Sequence, residues 1–270
     1  MTHLAFDQIP VPDRAAKPRR TGLTMMIDWG IPLAQQADII ASQGHLVDKA
    51  KVAGGIPRFM PRELLLEKLA AYNAANISTA NGGLFTELAL AQGTFDALLR
   101  EMADVGFASV EVSENLQPLS AMDKTNAVRH AKQSYGLDVL GEVGRKEGEM
   151  TDDEIMEDVE IYLNAGVSSV YLEANELFDG DHARDGLIRR LAESFPPEAL
   201  IFELPVDVLP GITKAIKHKT ASQLVATLGT EVNLANVEHD EIYLLECLRR
   251  GVAGDTRHAA GAFRLAGIGA

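Results

Sequence analysis

The sequence is poor in several groups on which protein chemistry often relies. It contains one cysteine, Cys247, so neither an internal disulfide nor a thiolate metal cluster can form. That cysteine lies in the apolar run YLLECL, where a buried, inert thiol is expected and not a nucleophile. Basic residues are scarce: 25 Lys and Arg against 39 Asp and Glu leave a formal charge of -14, which repels a nucleic-acid backbone. No nucleic-acid partner is therefore expected. No apolar run approaches the roughly 20 residues that span a bilayer, and MTHLAFDQIPVPDRAAKPRR holds no stretch of signal-peptide length. The expectation is a cytoplasmic protein with no membrane partner. No GxGxxG or Walker sequence follows the first apolar strand and no GxSxG occurs, which argues against a dinucleotide fold and an acyl-enzyme hydrolase. No organic cofactor is expected.

What the chain does contain is alternation. From Gly22 onward short apolar runs alternate with longer stretches of helical period, eight times over. The strands expected are Leu23–Asp28, Leu46–Val52, Asn76–Thr79, Ser109–Ser113, Asp138–Val143, Ser169–Glu173, Leu200–Leu204 and Glu231–Asn236. Helices between them carry end signals, such as Thr151 with Glu154 as a capping box and Gly166 past the last apolar turn. Eight parallel units close most naturally into a (β/α)8 TIM barrel. Residues 21–270 are expected to form that one domain, and residues 1–20 an irregular arm whose Lys17, Arg19 and Arg20 are solvated surface. Barrels often associate through their outer helices, so a homo-oligomer is expected.

Four glutamates interrupt the strands: ASVEVS, LGEVG, VYLEA and IFELP place Glu111, Glu142, Glu173 and Glu203 near strand ends, spaced 31, 31 and 30 residues apart. One β/α unit separates each from the next, so they should ring the mouth at the C-terminal ends of the strands, where such enzymes keep their sites. Crowded carboxylates persist only with a cation, with basic partners or with a proton. An oxygen-coordinated ion such as Mg²⁺ answers that need, with Glu111, Glu173 and Glu203 as ligands, because thiolates and paired histidines are missing. The plainer alternative is a set of separate salt bridges with Lys51, Arg145 and Lys146.

Lys51 in LVDKAKV is a candidate base or electrostatic clamp, since desolvation can lower a lysine pKa towards neutrality. Lys49 has the same strand parity, so period two alone does not choose between them. Asp28, Asn81, Asn233 and Asn236 complete the expected mouth. Gly82-Gly83 could offer backbone N–H groups to an anion at a helix start.

These same blocks resemble the (2R)-phospho-3-sulfolactate synthase family, barrel lyases that add sulfite to phosphoenolpyruvate with Mg²⁺. The resemblance runs from about Arg20 to Thr256 and rests on RTGLTMMIDWGIP, GG followed by Glu87 and AQGTFD, GFASVEVSE, EVGRK, VYLEANE, LIFELP, VNLANV and LECLRRGVAGDT. It implies that Asp28, Lys51, Glu111, Glu142, Glu173, Glu176, Glu203, Asn233, Asn236 and Asp255 occupy the family's motif positions.

Departures concern the basic groups. The family's KFGWGTS is here Lys51-Val52-Ala53-Gly54-Gly55-Ile56-Pro57, EVGKK is EVGRK with Arg145, the turn after strand six is Ala174-Asn175-Glu176-Leu177 without an arginine, APQK is Leu204-Pro205-Val206-Asp207, and Ala253 replaces an arginine. Each charge-assisted phosphate contact is worth on the order of 1.5–3 kcal/mol, so losing two or three weakens a phosphorylated ligand by orders of magnitude unless they are replaced. Ile56, Phe59, Met60, Leu177, Phe178, Val206 and Leu209 are expected to give an apolar mouth. The first expectation is therefore an enolate-type lyase that breaks C–C, C–O or C–S bonds of a non-phosphorylated, more hydrophobic and even aromatic small molecule. In it Lys51, Glu142, Arg145 and Lys146 would be catalytic, and Asp28, Asn81, Glu87, Glu176, Asn233 and Asn236 would hold substrate. The alternative is the family's own reaction, with anion ligands moved to Arg58, Arg62 or Arg145. A third is a non-catalytic binding or stress protein.

Overall fold

Eight strands of four to six residues, each too short to stand alone, pair in parallel and close on themselves. The computed structural model describes residues 5–116, 118–145, 150–179 and 182–252. The barrel strands are β1 (Thr24–Asp28), β2 (Lys49–Val52), β3 (Ser78–Asn81), β4 (Ser109–Val112), β5 (Asp138–Val143), β6 (Ser169–Leu172), β7 (Leu200–Glu203) and β8 (Leu234–Val237). Consecutive strands are neighbours throughout, and Thr24 opposite Leu234 joins β1 to β8. This is the expected (β/α)8 architecture.

Around the barrel run α1 (Leu33–Gln43), α2 (Arg62–Ala74), α3 (Gly83–Ala91), α4 (Phe95–Val105), α5 (Ala121–Tyr135), α6 (Asp152–Ala165), α7 (Ala174–Leu177), α8 (Asp185–Ser194), α9 (Lys214–Leu228) and α10 (Ile242–Arg249). The start of α6 carries the capping box read from the sequence: Thr151 Oγ1 accepts from Glu154 N, and the Glu154 carboxylate accepts from Thr151 N at 2.8 Å. Gly166 ends the same helix at φ 94, a left-handed conformation in which a side chain would be strained.

Strand parity sorts the core into two layers. Val52, Val110, Val112, Val139, Val143, Val170, Leu172, Leu234 and Val237 face the helices. Leu23, Met25, Ala80, Leu140, Tyr171, Ile201 and Ala235 fill the barrel interior as a plug. An apolar floor of this kind makes the lumen a packed core and separates the mouth from the opposite end of the barrel.

Several boundaries differ from the sequence reading. The second strand starts at Lys49, the third is Ser78–Asn81 and the eighth is Leu234–Val237, because Asn76 takes φ 55 in a turn and Asn233 spends its side chain on hydrogen bonds below the sheet. A two-residue hairpin pairing Phe178–Asp179 with His182–Ala183 lies beyond α7. Nor is the arm merely solvated. The Arg14 side chain is 1% exposed and pairs with Glu231 at 3.1 Å and Glu246 at 2.5 Å. Lys17 donates to Gly44 O and Val47 O, and Arg19 pairs with Asp48 at 3.0 Å. Arg20 alone keeps the exposed character expected of the cluster.

Candidate active site

Period two explains why four acids meet. Glu111, Glu142 and Glu203 lie within β4, β5 and β7, and Glu173 directly follows β6. Each shares parity with an inward residue such as Leu140, Tyr171 or Ile201, so each side chain enters the lumen one step above the apolar plug. All four are buried, with exposures of 1–4%. They floor a cavity of about 210 Å³ whose lip is apolar: Trp29, Leu84, Leu204, Val206, Val208 and Leu209.

Lys51 rises from β2 into the same layer. Its Nζ lies 2.7 Å from Glu203 Oε1 and 2.8 Å from Glu111 Oε2, and 4.5 Å from the Tyr171 ring centroid. Burial by itself would pull this pKa down, but Glu111, Glu203 and Glu142 outweigh it and hold the ammonium well above its ordinary value. This corrects the expectation of a lysine brought towards neutrality: the side chain is held as an ammonium and is not a ready base. Parity leaves Lys49 on the same inner side, but two residues lower, at the closed end of the barrel.

The carboxylates divide by position. One oxygen from each of Glu142, Glu173 and Glu203 lies within 4.8 Å of the others, so these three, all hard oxygen donors, could close on one divalent cation. That set differs from the expected Glu111, Glu173 and Glu203. Glu111 Oε1 instead accepts from Gly83 N at 2.6 Å, at the start of α3, where the helix N-terminus favours negative charge. A Cβ on Gly83 would stand 2.3 Å from Ser113 Oγ and 2.7 Å from Glu111 Oε1, so glycine is what permits this approach. The N–H proposed for an external anion is thus taken by the protein's own glutamate.

Most other candidates brace the site from outside. Asp28 has the opposite parity to the inward Ile27 and faces α2: its carboxylate accepts from Lys68 Nζ at 2.6 Å, Tyr72 OH at 2.9 Å and the backbone of Gly30 and Ile31. It fixes the turn that carries Trp29. Asn81 links strands and helix, donating to Thr86 Oγ1 and accepting from Glu111 N. Glu87 accepts from Ser113 Oγ and from Asn115 N and Leu116 N, which sets the loop after β4. Glu176 accepts from Arg145 N and Met150 N and is pushed above its ordinary pKa by burial. None of these four is among the residues lining the mouth cavity.

Asn233 sits at the other end of the barrel, accepting from Leu23 N and donating to Pro197 O and Leu200 O. Asn236 does line the mouth, with φ 60 at an irregularity in the β1–β8 register, a bulge that turns its amide inward. Arg145 lies beside Glu176 and Glu154 and away from the cavity lining. Arg58 and Arg62 line a separate flank groove, where Arg62 pairs with Glu101. Lys146 and Asp255 lie outside the described residues. Of the apolar replacements, Val206 and Leu209 reach the lip, Leu177 is buried in the core, and Phe59 is 86% exposed.

Sequence reasoning missed Trp29 and Asn115 in the lining. Trp29 immediately follows β1 and is the chain's single tryptophan, which is a usable signal. Its Nε1 donates to Glu238 Oε1 at 3.0 Å. Asn115 carries no such signal.

Comparison with known proteins places the chain in a family. The family model described as (2R)-phospho-3-sulfolactate synthase (ComA) matches residues 12–255. A phosphosulfolactate synthase of Methanocaldococcus jannaschii is 31% identical over 239 residues, 87% of this chain and 93% of that protein. One from Bacillus subtilis is 28% identical over 92% and 97% of the respective chains. Among solved structures, phosphoribosyl anthranilate isomerase from Thermococcus kodakaraensis aligns with a TM-score of 0.53 at 14% identity, covering 84% of this chain and 98% of that one. The YdjI aldolase from Escherichia coli K12 aligns with a TM-score of 0.53 at 12% identity, covering 86% of each. Both show a shared barrel and nothing finer. With the family model spanning nearly all of the barrel and the acids in register, the chain belongs to the (2R)-phospho-3-sulfolactate synthase family.

Proposed function

We propose that the chain is a lyase that joins sulfite to phosphoenolpyruvate, with chemistry at the mouth floored by Glu111, Glu142, Glu173 and Glu203. The observation that carries this reading is Lys51, a buried ammonium held between Glu111 and Glu203 beside three carboxylates suited to a cation, in a chain whose relatives bear the name phosphosulfolactate synthase.

The sulfur lone pair forms the C–S bond at C3 while the C2–C3 π electrons move towards the substrate carboxylate. Lys51 then delivers its proton to C2, and no group leaves. The raised pKa keeps Lys51 in the ammonium form, so it carries the proton that C2 needs, and bond formation to the strongly basic carbanionic carbon drives the transfer from so weak an acid. When bound by Glu142, Glu173 and Glu203, a divalent cation would supply charge neutralisation and polarise the substrate carboxylate, which lowers the cost of negative charge there. Asn236 and Trp29 would shape the entrance, while Asp28 and Glu87 hold the loops that carry the lining. Arg145, also expected to be catalytic, would act here on the loop after β5.

A second reading is favoured by the lip. Among the described residues the cavity lining contains one cationic side chain, Lys51, beneath Trp29, Leu84, Val206, Val208 and Leu209, which suits a less charged and bulkier substrate for the same enolate-type chemistry. Sulfite consumption with phosphoenolpyruvate across Mg²⁺, Mn²⁺ and Co²⁺ separates the two. Efficient turnover supports the first reading; absence of turnover with all three metals rejects it and leaves the second.

A further inference from the structure

Lysines buried in this fold are paired. Lys51, Lys68, Lys124 and Lys217 each have a carboxylate oxygen at 3.0 Å or less, as expected when an ammonium leaves water. Lys49 departs from that pattern. It opens β2 half-buried, and among the described residues no carboxylate oxygen lies within 4.0 Å of its Nζ.

Lys49 lines a hollow of about 510 Å³ at the N-terminal end of the barrel. The apolar plug of Met25, Ala80, Leu140, Tyr171 and Ile201 separates this hollow from the mouth. Three more cations of the N-terminal arm, Lys17, Arg19 and Arg20, stand around it, and Ser78, Ser168 and Ser169 contribute hydroxyls. The acids at its edge are already engaged. Asp48 pairs with Arg19 at 3.0 Å and accepts from Thr24 N, Asp138 accepts from Val139 N, and Glu198 pairs with Arg20 at 3.3 Å. Four cations face three carboxylates here, so in a chain of net charge -14 the hollow is locally positive by one charge, and Lys49 is the cation with no carboxylate oxygen within 4.0 Å among the described residues.

We propose that this hollow is a second ligand site, opposite the carboxylate ring, that takes a small oxyanion of the phosphate type with Lys49 as its charge partner. Burial lowers the Lys49 pKa against the opposing pull of Asp138 and Asp48, and an arriving anion would raise it again by favouring the ammonium. The arm supplies three of the four cations, which ties occupancy to the docking of residues 14–20. The site does not depend on the reaction proposed for the mouth.

The test uses the whole protein and inorganic phosphate, with phosphoenolpyruvate as a second arm. Acylation of Lys49 by an amine-reactive ester, followed by peptide mass spectrometry, should slow when phosphate is added, and phosphate should raise Tm. Lys49→Met should weaken phosphate binding about tenfold or more, while remaining at least as stable as the wild type in phosphate-free buffer. Glu142→Gln, altered at the mouth, should keep both the protection of Lys49 and the Tm shift. Protection by phosphoenolpyruvate at lower concentration than by phosphate would identify a phosphorylated metabolite as the ligand. Unprotected Lys49, or an undiminished phosphate response in Lys49→Met, would overturn the proposal.

Discussion

Lys51 Nζ lies 2.7 Å from Glu203 Oε1, and both side chains are buried in one layer above the barrel plug. Removing one member leaves the other's charge uncompensated in a dry site, which costs about 3–5 kcal/mol for a buried pair. Lys51→Met is therefore expected to lower Tm as well as to abolish turnover. Thermal unfolding of Lys51→Met with and without Mg²⁺ checks this, since a cation on the remaining acids should recover part of the lost stability. An unchanged Tm would mean that the pair carries no such load.

The division of the four acids yields a sharper prediction. Glu142→Gln and Glu173→Gln should each weaken Mg²⁺ binding by about 10-fold or more, the scale seen when a metal site is perturbed. Glu111→Gln, whose native carboxylate is engaged by Gly83 N and Lys51, should bind Mg²⁺ much as the wild type does. Isothermal titration of the three variants decides between this assignment and the one read from the sequence.

Asp28 should behave as a brace. Its four hydrogen bonds all go to the protein, so Asp28→Asn should destabilise the fold by about 3–5 kcal/mol through the stranded Lys68 and leave the Mg²⁺ affinity unchanged. Denaturant unfolding and metal titration on the same sample measure both. A selective loss of metal binding would return Asp28 to the mouth.

Glu238 gives a pH signature. Burial raises its pKa above the ordinary carboxylate value of 4.5, against the opposing effects of Lys217 and of the Trp29 hydrogen bond. A carboxylate raised in the folded state favours folding while protonated, so its contribution is fully present below the unfolded pKa and is lost as pH rises through the folded value. Stability should therefore fall with rising pH just above 4.5, and Glu238→Gln should flatten that slope. Trp29, the only tryptophan, should change its emission over the same interval; a slope identical in the variant would show that Glu238 does not contribute.

Much of this was legible because repetition reports topology. Spacings of 31, 31 and 30 residues put Glu111, Glu142, Glu173 and Glu203 in equivalent strand positions, and closure of the barrel did the rest. The grouping of the acids was harder to read, since it depends on contacts between units: Gly83, from a different unit, sits against Glu111, while Glu142 stands with Glu173 and Glu203. Asp28 could have been excluded by parity, as Met25 and Ile27 are the inward residues of its strand. Asn233 was misplaced because the eighth strand starts one residue after it. The positive φ of Asn236 and the choice of Lys51 over Lys49 are tertiary facts, set by a register irregularity and by which strand end faces the mouth.

If Lys51 delivers the proton to the carbon next to the substrate carboxylate, in a site completed by a divalent cation, the new C–H bond should take its hydrogen from solvent through the exchangeable ammonium. Incubation with phosphoenolpyruvate, sulfite and Mg²⁺ in D2O, followed by NMR, tests it most directly. Phosphosulfolactate carrying one deuterium at C2 should be formed by the wild type and not by Lys51→Met. Product formed at wild-type rate by Lys51→Met, or no consumption of sulfite by the wild type with any divalent metal, would contradict it.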